Sequence, residues 1–214
     1  MDLALFDFDG TITVKGTYPG FVRFAARPRR QIAGGVILSP LLIGYRGGLV
    51  SDQTIRKAMS KLAFWGEDAD RLRSLGEQYA RDVLPSLIRP VASERIAWHQ
   101  ARGDVIAVVS ASLDLYLAPW CRAMGVDVIC TELEITRDGR LTGRYVSGDC
   151  CGETKARRIE ERYELTDYGT IYAYGDTEED RPMLDMARRR YFRWEEVDDM
   201  PPASPVTRRG AGGV

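Results

Sequence analysis

Histidine is almost missing from this chain: His99 is the one such residue among 214. A histidine nucleophile and a His-rich zinc site are both disfavoured by that scarcity, and His99 itself is expected to be a surface residue on a helix. Cysteine is sparse as well. Cys121, Cys130, Cys150 and Cys151 lack paired C-x-x-C spacing, so the reducing cytosol is the expected compartment, with no leader expected ahead of a strand that starts at residue 2. The vicinal Cys150 and Cys151 read as structural thiols rather than a redox pair. Neither sign of charge is in excess: 30 basic and 31 acidic residues give a formal net charge of −1, so no nucleic-acid partner is expected. The nearest basic run, Arg27, Arg29 and Arg30, reads as a solvated helix end. No G-x-x-x-x-G-K-[ST] is present, which argues against P-loop nucleotide hydrolysis. Long apolar runs are missing too. The longest, IAGGVILSPLLIGY over residues 32–45, is interrupted by three glycines and Pro40 and is too short to span a bilayer. It is expected to form a helix pair packed inside an insertion; the sharper alternative is an apolar surface that meets a lipid or a greasy substrate.

What is present is a recurring apolar strand. LALFDF (3–8), DVIAVVS (104–110), VDVICT (126–131) and TIYAYGD (170–176), with YFRW (191–194) as a fifth, are separated by helical patterns. That alternation predicts an α/β fold with a doubly wound parallel sheet. Residues 113–124 read as a helix stopped by Gly125, and 153–164 as a charged helix. RDGR at 137–140 predicts a hairpin turning at Asp138-Gly139. Between the first two strands the spacing predicts helices only: Ile55, Ala58, Met59 and Leu62 share one face behind a cap at Ser51 or Asp52, and Leu72, Leu75 and Tyr79 share another. A crossover needs only a dozen or so residues, so a helical module is inserted there. The expected organisation is a core of 1–13 and 100–197, a helical cap of 14–99, and a disordered tail of 198–214.

The chemistry-bearing residues lie where apolar strands stop. In open α/β sheets ligands bind beyond the carboxyl ends of the strands, and those ends offer Asp7 and Asp9, then Ser110, then Asp176 and Asp180. If Asp7 and Asp9 stay extended, their side chains project to the same side. Carboxylates gathered in one place repel one another and need a cation, and hard oxygen ligands without histidine or cysteine suit Mg²⁺. An ionised carboxylate beside a Lewis acid is a nucleophile of the kind that forms aspartyl phosphates. Lys155 falls in the first turn of a helix, where the macrodipole disfavours a cation, and an anion held there would reverse that sign.

DFDGTIT, VVSAS, Lys155 and GDTEED, in this order and spacing, resemble the four motifs of the haloacid dehalogenase-like phosphohydrolase superfamily. The resemblance implies a Rossmann-like core, Asp7 as nucleophile and Asp9 as general acid and then base. It implies that Ser110 and Lys155 hold the phosphoryl group. Mg²⁺ is implied on the Asp7 carboxylate, the Asp9 carbonyl and Asp176, with Asp180 supporting. The inserted helices and the span leading to Lys155 look like the phosphoserine phosphatase-like branch, which also includes bacterial enzymes acting on phosphatidylglycerophosphate. One departure stands out: where phosphoserine phosphatases carry a glutamate nine residues after the nucleophile, this chain has Gly16. The substrate expected is a small phosphomonoester or a lipid-like phosphate. A phosphotransferase or mutase on the same scaffold and a non-catalytic phosphate-binding module are the alternatives. Cys151 to Arg157 also matches C-x5-R, without the preceding histidine or glycine-rich loop of cysteine-dependent phosphatases.

Overall fold

The computed structural model describes residues 1–198, so the expected tail lies, apart from its first residue, outside the described residues. Five parallel strands and one antiparallel edge strand form a sheet. They are β1 (Leu3–Phe6), β2 (Val105–Leu113), β3 (Asp127–Thr131), β6 (Ile171–Gly175), β7 (Arg189–Phe192) and β8 (Glu195–Val197), in the order β3-β2-β1-β6-β7-β8. A separate hairpin pairs β4 (Leu133–Ile135) with β5 (Leu141–Tyr145) and turns at Gly139, whose φ of +76° is the left-handed value that glycine tolerates.

The central strands are continuous apolar runs because both faces are covered. Alternation sorts their side chains: Ala4, Phe6, Val108 and Tyr174 face one layer, and Leu3, Leu5, Val109 and Ala173 the other. The second layer is closed by α7 (Glu153–Arg162) and α8 (Arg181–Asp185) through Ile159, Met183 and Leu184. The first is closed by α5 (Pro90–Arg102) and α6 (Asp114–Met124), the latter ending at Gly125 with φ +66° as its glycine stop requires.

The segment between β1 and β2 is helical as expected. It holds α1 (Tyr18–Ala25), α2 (Pro28–Arg46), α3 (Asp52–Phe64) and α4 (Ala69–Asp82) before α5. Ser51 caps α3 by accepting from the Thr54 N–H at 3.3 Å, and Asp68 caps α4 through Arg71 N–H at 2.8 Å. Phe21, Phe64, Leu72 and Tyr79 join the same apolar cluster as the first sheet face.

Three expectations are corrected. Residues 32–45 do not form a packed pair of helices: one helix runs through Pro40. Proline deprives the Val36 carbonyl of its helical donor, and the Ser39 hydroxyl takes its place at 2.8 Å, so the helix continues. His99 is not a surface residue. The last turn of α5 rests on the sheet, burying the ring between Asp104 (2.8 Å) and the Tyr174 hydroxyl (2.9 Å). Arg27 and Arg30 are not merely solvated, since both pair with the buried Glu67 at 3.0 and 3.2 Å.

Burial lowers the affinity of His99 for a proton, against the attraction of Asp104. A histidine whose folded-state pKa lies below the unfolded 6.5 stabilises the fold above 6.5 and loses that contribution as pH falls through the folded value. Urea midpoints measured at about pH 7.5 and about pH 5.5 are expected to fall less in His99→Gln than in the wild type. Helix α4 crosses α6 at Gly76, where an added Cβ would stand 2.0 Å from the Leu115 carbonyl oxygen. Gly76→Ala is expected to cost about 1–3 kcal/mol of unfolding free energy in denaturant titration, because backbone cannot yield as a side chain does.

Candidate active site

The sheet changes winding direction at β1. From there the chain builds β2 and β3 to one side and β6 and β7 to the other, which makes the carboxyl end of β1 a switch-point crevice. Strand β1 stops at Phe6, before the first aspartate. Asp7 is still extended, but Phe8–Ile12 forms a tight irregular turn in which Gly10 has φ +96°. Only glycine fits there on a second count, since a Cβ on Gly10 would meet Asp176 Oδ2 at 2.4 Å. Arg89 pins the turn from outside, donating to the carbonyls of Gly10 and Thr13.

The turn sends the two aspartates to different partners, so they do not sit as neighbours on one strand face. Asp7 is buried and accepts from Lys155 Nζ at 2.6 Å. The same ammonium donates to Asp180 Oδ1 at 2.6 Å. Asp180 is oriented by its other oxygen, which accepts from the backbone N–H groups of Asp176 (3.1 Å) and Thr177 (3.0 Å). That makes it a cap of the short turn at Glu178–Asp180 as well as a partner of Lys155. Gly175 permits the approach, as a Cβ there would lie 2.5 Å from that of Asp180. Asp176 accepts from the Thr11 hydroxyl at 3.3 Å.

Oxygens of Asp7, Asp176 and Asp180 come within 4.8 Å of one another. Burial, followed by repulsion from Asp180, holds Asp7 well above the ordinary carboxylate range in spite of Lys155. The same two causes push Asp176 up to about 6. Burial opposes the charge on Lys155, yet Asp180 and Asp7 outweigh it and hold the ammonium charged. One buried ammonium, in contact with Asp7 and Asp180, therefore stands against a cluster of three carboxyl groups. The excess negative charge and all-oxygen donor set fit a hard divalent ion such as Mg²⁺.

Asp9 lies in a hydroxyl pocket. Its Oδ1 accepts from the Thr17 N–H (2.8 Å) and hydroxyl (2.6 Å), and its Oδ2 from the Ser112 hydroxyl (2.7 Å). Tyr116 donates to Ser112 at 2.7 Å, completing the ring. Even so, burial raises the Asp9 pKa against the pull of these donors. Ser110 is buried within β2 and not at its end, since the strand runs on through a register shift to Leu113; its hydroxyl accepts from the Ser112 N–H at 3.1 Å. Thr17, Ser112 and Tyr116 were not singled out in the sequence. Ser112 was within reach of the period-two rule, two residues beyond Ser110, whereas Thr17 carries no local signal.

Helix α3 touches the rim through Arg56, which reaches the buried Asp149 at 2.9 Å and Glu179 at 3.5 Å. A Cβ added at Gly16 would meet nothing within 4 Å. The C-x5-R match has no nucleophilic character. Burial, then Asp149, pushes the Cys151 thiol up to about 11, and Arg157 pairs with Glu161 on an exposed face.

The family model of the haloacid dehalogenase-like hydrolases matches residues 4–185. The chain is 33% identical over 195 residues to Protein CicA of Caulobacter vibrioides, covering 89% of this chain and 85% of that one. It is 29% identical over 147 residues to a histidinol-phosphatase of Neisseria meningitidis, covering 65% of each. A protein of unknown function from Bordetella pertussis Tohama I superposes with a TM-score of 0.77 at 28% identity, over 89% of both chains. A phosphoserine phosphatase solved as a phospho-aspartyl intermediate analogue shares the fold at TM-score 0.61 and 21% identity, over 89% of this chain and 85% of that one. A switch-point crevice lined by Asp7, Lys155, Asp176 and Asp180, inside a segment matched from residue 4 to residue 185, places this chain in the haloacid dehalogenase-like hydrolase family.

Proposed function

We propose that this chain hydrolyses phosphomonoesters through a phosphoryl group carried transiently on Asp7. The observation that supports it most directly is Asp7 itself: a buried carboxylate at the switch point, with one oxygen held by Lys155. Hydrogen bonding to one oxygen orients the carboxylate and leaves the other for in-line attack on phosphorus. Asp9, fixed by Thr17 and Ser112, is the group to protonate the leaving oxygen and afterwards to take a proton from the water that hydrolyses phospho-Asp7. Ser110 and Lys155 bind the phosphoryl oxygens, and Asp180 keeps Lys155 in place.

Mg²⁺ belongs to the same reading, held by the carboxylates of Asp7 and Asp176 and the Asp9 carbonyl. Bound there it would offset the charge of the acidic cluster and of the phosphoryl group. Helices α1 to α4 act as a cap over the crevice, bounded by residues 14–99, and the core is 1–13 with 100–197. The substrate is a small phosphorylated metabolite or a lipid-like phosphate. The missing carboxylate at position 16, where this chain has glycine, supports a leaving group other than the amino acid serine. The cytoplasm is the proposed place of action, supported by four free cysteines of which Cys150 and Cys151 are adjacent.

Phosphate release from a panel of phosphomonoesters tests the reading. Turnover is expected with Mg²⁺ and lost in EDTA, and Asp7→Asn is expected to lose on the order of 10³-fold or more while keeping its circular dichroism. Metal-dependent turnover by folded Asp7→Asn protein would remove Asp7 from the nucleophile's role. Lys155→Met leaves Asp7 and Asp180 facing each other without a countercharge. Denaturant unfolding of the metal-free variant near neutral pH is expected to show a loss of about 3 kcal/mol or more.

A further inference from the structure

From Ile32 to Tyr45 helix α2 carries no charged residue, and its described side chains pack along one stripe. Gly34 is buried and Leu38, Leu41 and Tyr45 are half-buried where the helix meets α3, a spacing of one helical face. The other faces present Ile32 (73% exposed), Val36 (71%) and Ile43 (71%) to solvent. Leu49, just beyond the helix, is 88% exposed, and Trp65, at the end of α3, is 64% exposed. Single exposed apolar residues are ordinary on a protein surface, whereas a group of this kind on one helix and its flanks marks an interaction site.

Charge identifies the partner. No aspartate or glutamate occurs between Asp9 and Asp52, while that stretch carries Lys15, Arg23, Arg27, Arg29, Arg30 and Arg46, in a chain of formal charge −1. At the start of α2, Arg27, Arg30 and Arg71 share the single carboxylate of Glu67. Arg27, Arg30 and Glu67, with Pro28, Arg29 and Gly66, line one cleft, and Trp65 directly precedes Gly66 in the chain. Guanidinium groups are thus in excess at one end of an exposed apolar helix, next to an indole. That is the chemistry of a helix lying in the headgroup region of an anionic bilayer. Because α2 has no acidic residue of its own, its arginines find no complement on the same helix of a second copy, which an isologous contact would need. Among the described residues no helix is long and apolar enough to cross a membrane, so the contact is peripheral.

We propose that α2 docks this protein on an anionic lipid surface, with its amino-terminal arginines among the headgroups and Ile32, Val36 and Ile43 at the acyl boundary. The surface stands apart from the active-site reading, and Asp7→Asn protein is expected to bind as the wild type does.

The test is sedimentation of the purified full chain with vesicles of phosphatidylcholine alone and of phosphatidylcholine mixed with phosphatidylglycerol. Binding is expected to the mixed vesicles, to be reversed by high salt, and to be weak or missing on phosphatidylcholine. The double variant Val36→Glu, Ile43→Glu changes only exposed positions. It is expected to keep its circular dichroism and lose the vesicles, and Arg29→Ala to bind about fivefold more weakly. No binding to the mixed vesicles, or binding that the double variant retains, overturns the proposal. A concentration-dependent dimer that the double variant abolishes, in a protein that ignores vesicles, gives the face to a second copy instead.

Discussion

Everything at the switch point depends on one buried ammonium group. Lys155 reaches across the crevice from the first turn of α7 and ties the end of β1, through Asp7, to the loop after β6, through Asp180. A cation at that helix position is opposed by the macrodipole and by burial. It is tolerated because two carboxylates face it at 2.6 Å each. Those carboxylates repel each other and Asp176 in turn, so the lysine and the acidic residues are each unfavourable alone. Pairing leaves one surplus, the negative charge, and it faces the crevice.

Glycine makes this density possible. Gly10 and Gly175 leave no room for a Cβ beside Asp176 and Asp180 respectively. The backbone can therefore come close enough for side chains from strands far apart in the sequence to share one cluster. The same economy appears in the insertion, where Gly76 lets α4 lie directly on the backbone of α6. Through such contacts the inserted helices share an apolar cluster with the sheet, and Arg56 adds an ionic tie between α3 and the rim.

Much of this could be read in the sequence because it is local. Continuous apolar runs before Asp7 and Asp176 marked the carboxyl ends of β1 and β6, whereas β2 runs on past Ser110 to Leu113, and Asp138-Gly139 and Gly125 marked a turn and a helix stop that the backbone takes. Lys155 stood out because it breaks a local rule, which is common at sites where function outweighs stability. What could not be read depends on contacts distant in sequence. His99 looks like any polar residue near a helix end until Asp104 and Tyr174 close around it. Pro40 looks like a helix break until the Ser39 hydroxyl repairs the ladder. Thr17 acquires its meaning only when the turn after β1 carries Asp9 back to the start of α1. The pair Asp7 and Asp9 misleads in the same way, since period-two geometry holds only while the strand lasts, and here it ends at Phe6.

The pocket around Asp9 has a bearing on modularity. One of its walls is Ser112, on the sheet, and the other is Thr17, the residue that opens the first inserted helix. The insertion is thus not an attachment that could be exchanged while the sheet keeps a complete set of groups. A chimera that grafts a foreign helical insert after residue 13 would have to bring a hydroxyl and a helix start to the same spot. Without them the second aspartate would keep its place in the chain and lose its orientation.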